Sequence, residues 1–187
     1  LAIDSISGII DLLSSSTGNY QIDFTSSDVF SQIGGNLDGQ SASNHFGHSV
    51  SMNSYGNIIA IGSSLSLSIN LPVKVFENNG VNWVQLGQDI YGENIVDFSG
   101  CSVSINAVGN RLAIGASYND GNGNQSGHVR VYEYNGSNWI QMGQDIDGEA
   151  AFDHSGSSVS INAVGNRLAI GAPLNDGNGN ESGHVRV

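Results

Sequence analysis

The sequence has little positive charge, few prolines and no long hydrophobic run. Its 187 residues include 5 Lys plus Arg against 17 Asp plus Glu, a formal net charge of −12. Because such an acidic chain repels phosphate groups and anionic lipid surfaces, we expect no nucleic-acid partner and no direct membrane insertion. No apolar stretch reaches the roughly 18 residues of a transmembrane helix. The single cysteine, Cys101, excludes an intrachain disulfide.

Glycine and hydrophobic residues are well represented. The chain has 26 Gly and only 2 Pro, and 39% of its residues are hydrophobic, so it has the apolar content of a folded domain. Many Gly, Asn and Ser residues separate short runs rich in Val and Ile. This pattern predicts an all-β fold of short strands joined by tight turns.

The first 29 residues carry no repeat, and we assign 1–29 to an N-terminal segment or to the end of a preceding element. This segment lacks the basic start of a signal peptide, so we expect the interior of a longer or processed chain. Ile3–Leu13 is the one stretch whose apolar spacing resembles that of a helix.

The rest of the chain is internally repeated. Aligning 83–131 with 139–187 gives 49 pairs, of which 11 differ and 38 are identical. A more divergent copy precedes them at an offset of 53 residues, with Phe30 in the position of Trp83. We therefore predict repeats of 53–56 residues over 30–187, with units at about 30–82, 83–138 and 139–187, the last one incomplete.

Each repeat contains four predicted strands, which in the second copy are Ser102–Ile105, Arg111–Ala116, His128–Tyr134 and Trp139–Gly143. Polar and apolar residues alternate along them, and Gly- and Asn-rich turns separate them. A four-stranded antiparallel sheet that recurs every 40 to 60 residues is typical of the blades of a β-propeller, which stack because one sheet cannot bury both of its faces. The sequence thus predicts a propeller segment of about three blades.

Three short motifs resemble the FG-GAP repeats of integrin-α-like propellers. Phe46-Gly47 precedes a first strand, Gly171-Ala172-Pro173 follows a second, and Gly127–Val131 has the Gly-x-Val-x-Val pattern of a third. The similarity covers about residues 30–187 and extends to secreted tandem-repeat surface proteins. It implies a propeller fold and an extracellular or cell-surface location.

The chain departs from this family at two places. The family's calcium loop lies between the first two strands of a repeat, and there this sequence reads Asn106–Arg111, with no carboxylate. Ser99-Gly100 and Ser155-Gly156 replace Phe-Gly in the later repeats. Because hard cations prefer charged oxygen ligands, the resemblance carries no calcium site to this chain.

A different loop offers oxygen side chains at alternate positions. The candidate calcium ligands are Asp120, Asn122 and Asn124, with Asp176, Asn178 and Asn180 in the next repeat. This spacing occurs in calcium-binding loops, but each loop has one carboxylate. The alternative is a Gly- and Asn-rich hairpin turn that binds no ion. We predict that no cofactor is required and that any calcium is bound weakly.

Acidic residues also cluster between the repeats, at Asp89, Glu93, Asp97, Asp145, Asp147, Glu149 and Asp153. Such carboxylates chelate a cation, meet a basic partner, or cap backbone N–H groups. His128 and His184 recur in a predicted strand, beside no partner that the sequence identifies.

No constellation of nucleophile, base and orienting group recurs between the repeats, so we predict a protein that is not an enzyme. Asn124, Asn135 and Asn180 begin N-x-Ser/Thr sequons and would carry glycans in a eukaryotic secreted glycoprotein.

The sequence favours an extracellular adhesion or recognition module that presents repeated loops to a protein or glycan. The alternative is a structural repeat protein that self-associates through neighbouring repeats into a rod or filament.

Overall fold

The computed structural model describes residues 2–3, 10–11, 32–40, 42, 44–63 and 69–187. Ahead of Gln32, strand β1 (Ala2–Ile3) pairs with β2 (Ile10–Asp11) in an antiparallel ladder. The helical interpretation of Ile3–Leu13 is therefore wrong at its described residues, and the remainder of that stretch, like Phe30, lies outside them.

From Gln32 onward the described residues form one compact unit with three antiparallel sheets. Sheet 1 contains, in order, β3 (Phe46–Met52), β4 (Ile58–Ser63), β5 (Lys74–Asn78) and β6 (Trp83–Gln85). Sheet 2 contains β7 (Ser99–Ile105), β8 (Arg111–Ala116), β9 (His128–Tyr134) and β10 (Trp139–Gln141), with β11 (Ile146–Asp147) also paired to β9. Sheet 3 contains β12 (Ser158–Ile161), β13 (Leu168–Ala172) and β14 (His184–Arg186).

The all-β antiparallel fold predicted from the sequence is confirmed. The strands of the second repeat agree closely with prediction, since β8 and β9 have the predicted bounds. The strand that carries Trp83 pairs with β5, so it is the last strand of sheet 1, although the sequence repeat was counted from this residue. A short 3₁₀-helix (Ile95–Asp97) in the connector between sheets 1 and 2 was not predicted.

Asparagine side chains hold the tight turns between the first two strands of each sheet. Asn106 Oδ1 accepts hydrogen bonds from the backbone N–H groups of Gly109, Asn110 and Arg111, each at 3.0 Å. Asn162 makes the same set of bonds in the turn between β12 and β13. An Asx turn of this kind replaces backbone partners that a short hairpin cannot supply, which explains why the loop without carboxylates is a structural turn.

The sheets lie face to face, with sheet 2 between the other two. β7 lies against β3 and β4 on one side, and β12 lies against β7 and β8 on the other. Leu112 and Ile114 belong to the hydrophobic core shared with sheet 1, whereas Ala113 and Val129 form a second core with Ile170 of sheet 3. Alternation along β8 thus sends successive side chains into two different cores.

Close approach between sheets depends on glycine. The Oγ of Ser49 donates to the carbonyl oxygen of Gly100 at 2.7 Å, and Ser102 makes the equivalent bond to Gly156 at 2.7 Å. A Cβ added at Gly115 would collide with the Gly156 carbonyl oxygen. Equivalent serine and glycine residues therefore mediate the contact between sheets 1 and 2 and the contact between sheets 2 and 3. No helix among the described residues is long and apolar enough to cross a membrane.

Candidate functional site

The two loops with candidate calcium ligands connect the second and third strands of sheets 2 and 3. Asp120 Oδ1 accepts a hydrogen bond from the backbone N–H of Gln125 at 2.7 Å, and Asp176 accepts one from Glu181 at 2.7 Å. Each carboxylate thus closes its own turn. The backbone of Gln125 and of Glu181 has a positive φ of 51°, so the two loops share one conformation.

The asparagines of these loops have separate roles. Asn122 Nδ2 donates to the carbonyl oxygens of Gly148 and Glu149 at 2.9 and 3.0 Å, which ties the loop to the connector between sheets 2 and 3. The backbone N–H of Asn178 donates to Ser182 Oγ at 3.2 Å, as that of Asn122 does to Ser126 Oγ. These bonds agree with the hairpin-turn alternative, and calcium ligation by the loops stays a prediction.

All three sequon asparagines lie on exposed turns. Asn124 and Asn180 are at the tips of the two equivalent loops, and Asn135 lies in the turn between β9 and β10. Asn135 Oδ1 also accepts hydrogen bonds from the backbone of Ser137 and Asn138, at 3.0 and 2.9 Å. Exposure is what a glycan acceptor requires, and glycosylation itself stays a prediction.

The acidic residues between the sheets divide into two groups. Asp97 and Asp153 are buried and accept hydrogen bonds from Asn119 Nδ2 at 2.8 Å and from Asn175 Nδ2 at 2.9 Å. Asp97 also accepts a bond from the backbone N–H of Asn94 at 3.2 Å, and Asp153 from that of Ala150 at 3.0 Å, as the capping interpretation expects. The remaining acids that matter for a site are Glu93, Asp145 and Asp147.

These three acids surround His128, the first residue of β9. His128 Nδ1 lies 3.5 Å from Asp145 Oδ2 and 3.9 Å from Asp147 Oδ1. Glu93, His128 and Asp145 each offer one ligand atom, and the three atoms lie within 4.8 Å of one another. Among the described residues this is the one group of three or more His, Cys, Asp or Glu side chains so arranged. The sequence named the acids but did not connect them with His128.

His128 is 1% exposed, and neither of its ring nitrogens makes a hydrogen bond. Burial, together with the positive charge of Arg130, lowers the pKa of His128, and the carboxylates of Asp145, Glu93 and Asp147 only partly oppose this. The imidazole is therefore neutral at pH 7, and its contact with Asp145 is not an ion pair.

Sheet 1 has different side chains at the positions equivalent to His128 and Arg130. There Pro72 stands where sheet 2 has His128, and Lys74 Nζ bonds Asp89 at 2.7 Å. The counterpart of Lys74 in sheet 2 is Arg130, whose guanidinium donates instead to the carbonyl oxygen of Tyr91 at 3.0 Å. Asp145 consequently has no Lys or Arg ion pair among the described residues.

Cys101 and His154 are not brought together as a nucleophile and a base. Cys101 Sγ lies 3.5 Å from the carbonyl oxygens of Gly115 and Gly156, between sheets 2 and 3. His154 Nε2 lies 3.2 Å from Gln125 Oε1. These contacts are structural. That the chain is not an enzyme stays a prediction.

Comparison of the chain with protein-family models and with curated proteins finds no match. The candidate sites therefore rest on the residues of this chain alone. They are the repeated loops at Asp120–Asn124 and Asp176–Asn180, and the group of Glu93, His128 and Asp145, called the His128 cluster below.

Proposed function

We propose that this chain is a segment of a β-propeller that acts outside the cell as a recognition module, presenting repeated loops to a protein or glycan partner. It catalyses no reaction in this proposal. The resemblance of its motifs to FG-GAP repeats agrees with that assignment, and four-stranded sheets stacked face to face are the expected form of neighbouring blades.

The observation that carries the proposal is the equivalence of the two exposed loops. Asp120 and Asp176 close their turns with the same 2.7 Å bond, and both loops leave their sheet between the second and third strands. Because sheets 2 and 3 lie face to face, we infer that the two loops project from the same end of their sheets. A partner that binds one loop weakly gains affinity from a second contact at a fixed spacing.

The stacking contacts support a propeller in a second way. The backbone N–H of Ile105 donates to Ser51 Oγ at 3.0 Å, and that of Ile161 donates to Ser104 Oγ at 3.0 Å. Each sheet therefore meets the next through an equivalent bond from an isoleucine backbone N–H to a serine hydroxyl. A uniform contact between twisted sheets turns the stack by a constant angle, and four to eight such sheets close a ring.

Binding of the chain to a printed glycan array and to a panel of extracellular matrix proteins tests this function. The paired substitutions Asn124→Arg and Asn180→Arg change both exposed loop tips and should abolish selective binding. Asn138→Arg, on the exposed turn between β9 and β10, adds the same charge elsewhere and should leave it intact. Equal effects of the loop variant and the control, or no selective binding at all, would contradict the proposal.

A structural role is the second candidate, and the repeated contact between sheets favours it. The Ser49–Gly100 and Ser102–Gly156 bonds have the same length, 2.7 Å, so one kind of bond links both pairs of sheets. A contact of this kind also propagates in an open stack, which would build an extracellular rod or filament by self-association. The shape of the assembled protein separates the two candidates.

A further inference from the structure

The His128 cluster joins three separate segments of the chain. Glu93 lies in the connector ahead of β7, His128 begins β9, and Asp145 lies in the connector after β10. Glu93 is exposed and Asp145 half-buried, so the carboxylates of the cluster reach solvent although the imidazole does not. A cation therefore has a route in, while the histidine itself is fixed within sheet 2.

The buried imidazole lacks the partner that such a group ordinarily has. A polar side chain as deeply buried as His128 is normally hydrogen-bonded, because an unpaired buried polar atom is costly. Both ring nitrogens of His128 are nevertheless without a hydrogen bond, and Nδ1 lies 3.5 Å from Asp145 Oδ2. A neutral imidazole offers a lone pair, and metal ions take that form of histidine.

The distances fit a small divalent cation. Ligands about 2.0–2.2 Å from a tetrahedral zinc ion are about 3.3–3.6 Å from each other. The 3.5 Å between His128 Nδ1 and Asp145 Oδ2 is close to that separation, and the Glu93 carboxylate is near enough to approach by side-chain rotation. Water or Asp147, whose Oδ1 lies 3.9 Å from the same nitrogen, would complete the coordination.

We propose that Glu93, His128 and Asp145 bind a divalent transition metal of the zinc type. The nitrogen donor selects against calcium, which takes six to eight oxygen ligands. The bound ion links the connector ahead of β7 to β9 and to the connector after β10, so it braces sheet 2. In sheet 1 the Lys74 ammonium neutralises Asp89, and no metal is required there.

Part of the cluster recurs in sheet 3. Glu149 and His184 occupy the positions of Glu93 and His128, and His184 Nδ1 lies 3.6 Å from Glu149 Oε2. Among the described residues, no third His, Cys, Asp or Glu side chain joins this pair in a group of ligand atoms. This pair therefore serves as a natural control that keeps two of the three ligand types.

The test is calorimetric titration of the metal-free 187-residue chain with Zn²⁺, followed by Co²⁺ substitution and visible absorption to report the coordination. We expect one saturable site. Because removal of even an outer-shell partner typically weakens a metal site ten- to hundredfold, Glu93→Gln and Asp145→Asn should each lower the Zn²⁺ affinity at least about tenfold. His128→Gln should lower it as well, and His184→Gln should not.

Glu93→Gln keeps the proposal falsifiable even if His128→Gln fails to fold, because Glu93 is exposed and its replacement preserves size. Unchanged Zn²⁺ affinity in Glu93→Gln and Asp145→Asn would overturn the proposal, as would the absence of saturable binding. A rise in melting temperature with Ca²⁺ but not with Zn²⁺ would also overturn it.

Discussion

The indole N–H of Trp139 donates a hydrogen bond to the carbonyl oxygen of Leu86 at 2.9 Å. The two residues belong to successive repeats, and Trp83 makes the equivalent bond to Ile33 at 2.9 Å. Gln88 reinforces the first contact, since its side-chain amide bonds both the N–H and the carbonyl oxygen of Trp139 at 2.9 and 2.8 Å. The outer strand of sheet 2 is thus anchored on the segment that follows the outer strand of sheet 1.

Replacement of Trp139 should destabilise the fold strongly. The side chain is 2% exposed and lies 5.3 Å from the Tyr134 ring, so Trp139→Ala leaves a cavity in the core. We expect a loss of about 3–5 kcal/mol in the free energy of unfolding, measured by urea denaturation. Trp139→Phe removes the indole N–H but keeps most apolar contact, and should cost about 1–3 kcal/mol.

Trp83 is the matched control for that experiment. It makes the same indole bond but is only half-buried, and Gly35 stands where the second repeat has Gln88. Trp83→Ala should therefore cost less than Trp139→Ala. Equal losses for the two variants would show that burial of Trp139 does not determine its contribution.

Gly115 sets the distance between sheets 2 and 3. Because an added Cβ would meet the rigid backbone at Gly156, Gly115→Ala should destabilise the protein by about 2 kcal/mol or more. Gly35→Ala is the control, since no atom lies within 4 Å of its added Cβ. Thermal unfolding of the two variants separates close packing from the general effect of Gly-to-Ala replacement, and a melting temperature unchanged in Gly115→Ala would contradict the stacked arrangement.

The Asn106 turn gives a third comparison. This side chain is 2% exposed and bonds three backbone N–H groups, so Asn106→Ala should cost about 2 kcal/mol or more by leaving buried donors unpaired. Asn162 makes the same bonds in an exposed turn, where water replaces the lost acceptor. Asn162→Ala should therefore be milder, and equal losses for the two variants in chemical denaturation would show that the bonds themselves, and not their burial, determine the effect.

Acid should weaken the contact between Lys74 and Asp89. Burial raises the pKa of Asp89, but hydrogen bonds from Lys74 and Gln85, with the charge of Lys74, outweigh it and leave the pKa below its usual value. A lowered carboxyl pKa contributes stability above the unfolded-state pKa of about 3.9, and this stability is lost as the pH falls through the folded-state pKa.

The variant Asp89→Asn isolates that contribution. Wild type should be more stable than Asp89→Asn at pH 7, and the difference should shrink progressively below about pH 4 as Asp89 takes up a proton. Denaturation curves of the two proteins across this range measure the difference directly. A difference that stays constant into strong acid would show that the charge of Asp89 does not contribute.

Repetition in the sequence was enough to predict the antiparallel strands. Alignment of the two near-identical copies matches Arg111–Ala116 with 167–172. Alternation of apolar residues then predicted β8 and β9. The short β11 was missed because its two residues, Ile146 and Asp147, carry no periodic pattern of their own. They become a strand only because β9 extends beyond β10 and leaves an edge to pair with.

The His128 cluster was beyond sequence reasoning for a related reason. Glu93, His128 and Asp145 are separated by 35 and 17 residues, and nothing in that spacing matches a known ligand pattern. They meet because the connector ahead of β7 passes the start of β9. One signal in the sequence is the recurrence of Glu93 and His128 as Glu149 and His184 at the 56-residue offset.

Electron microscopy of the full-length protein that carries these repeats tests the central claim most directly. If the sheets are blades of a propeller that presents its loops for recognition, the images should show discrete closed disks with a central channel. Long, regular fibres would contradict the propeller and favour the structural role, in which the same contact between sheets propagates without closing.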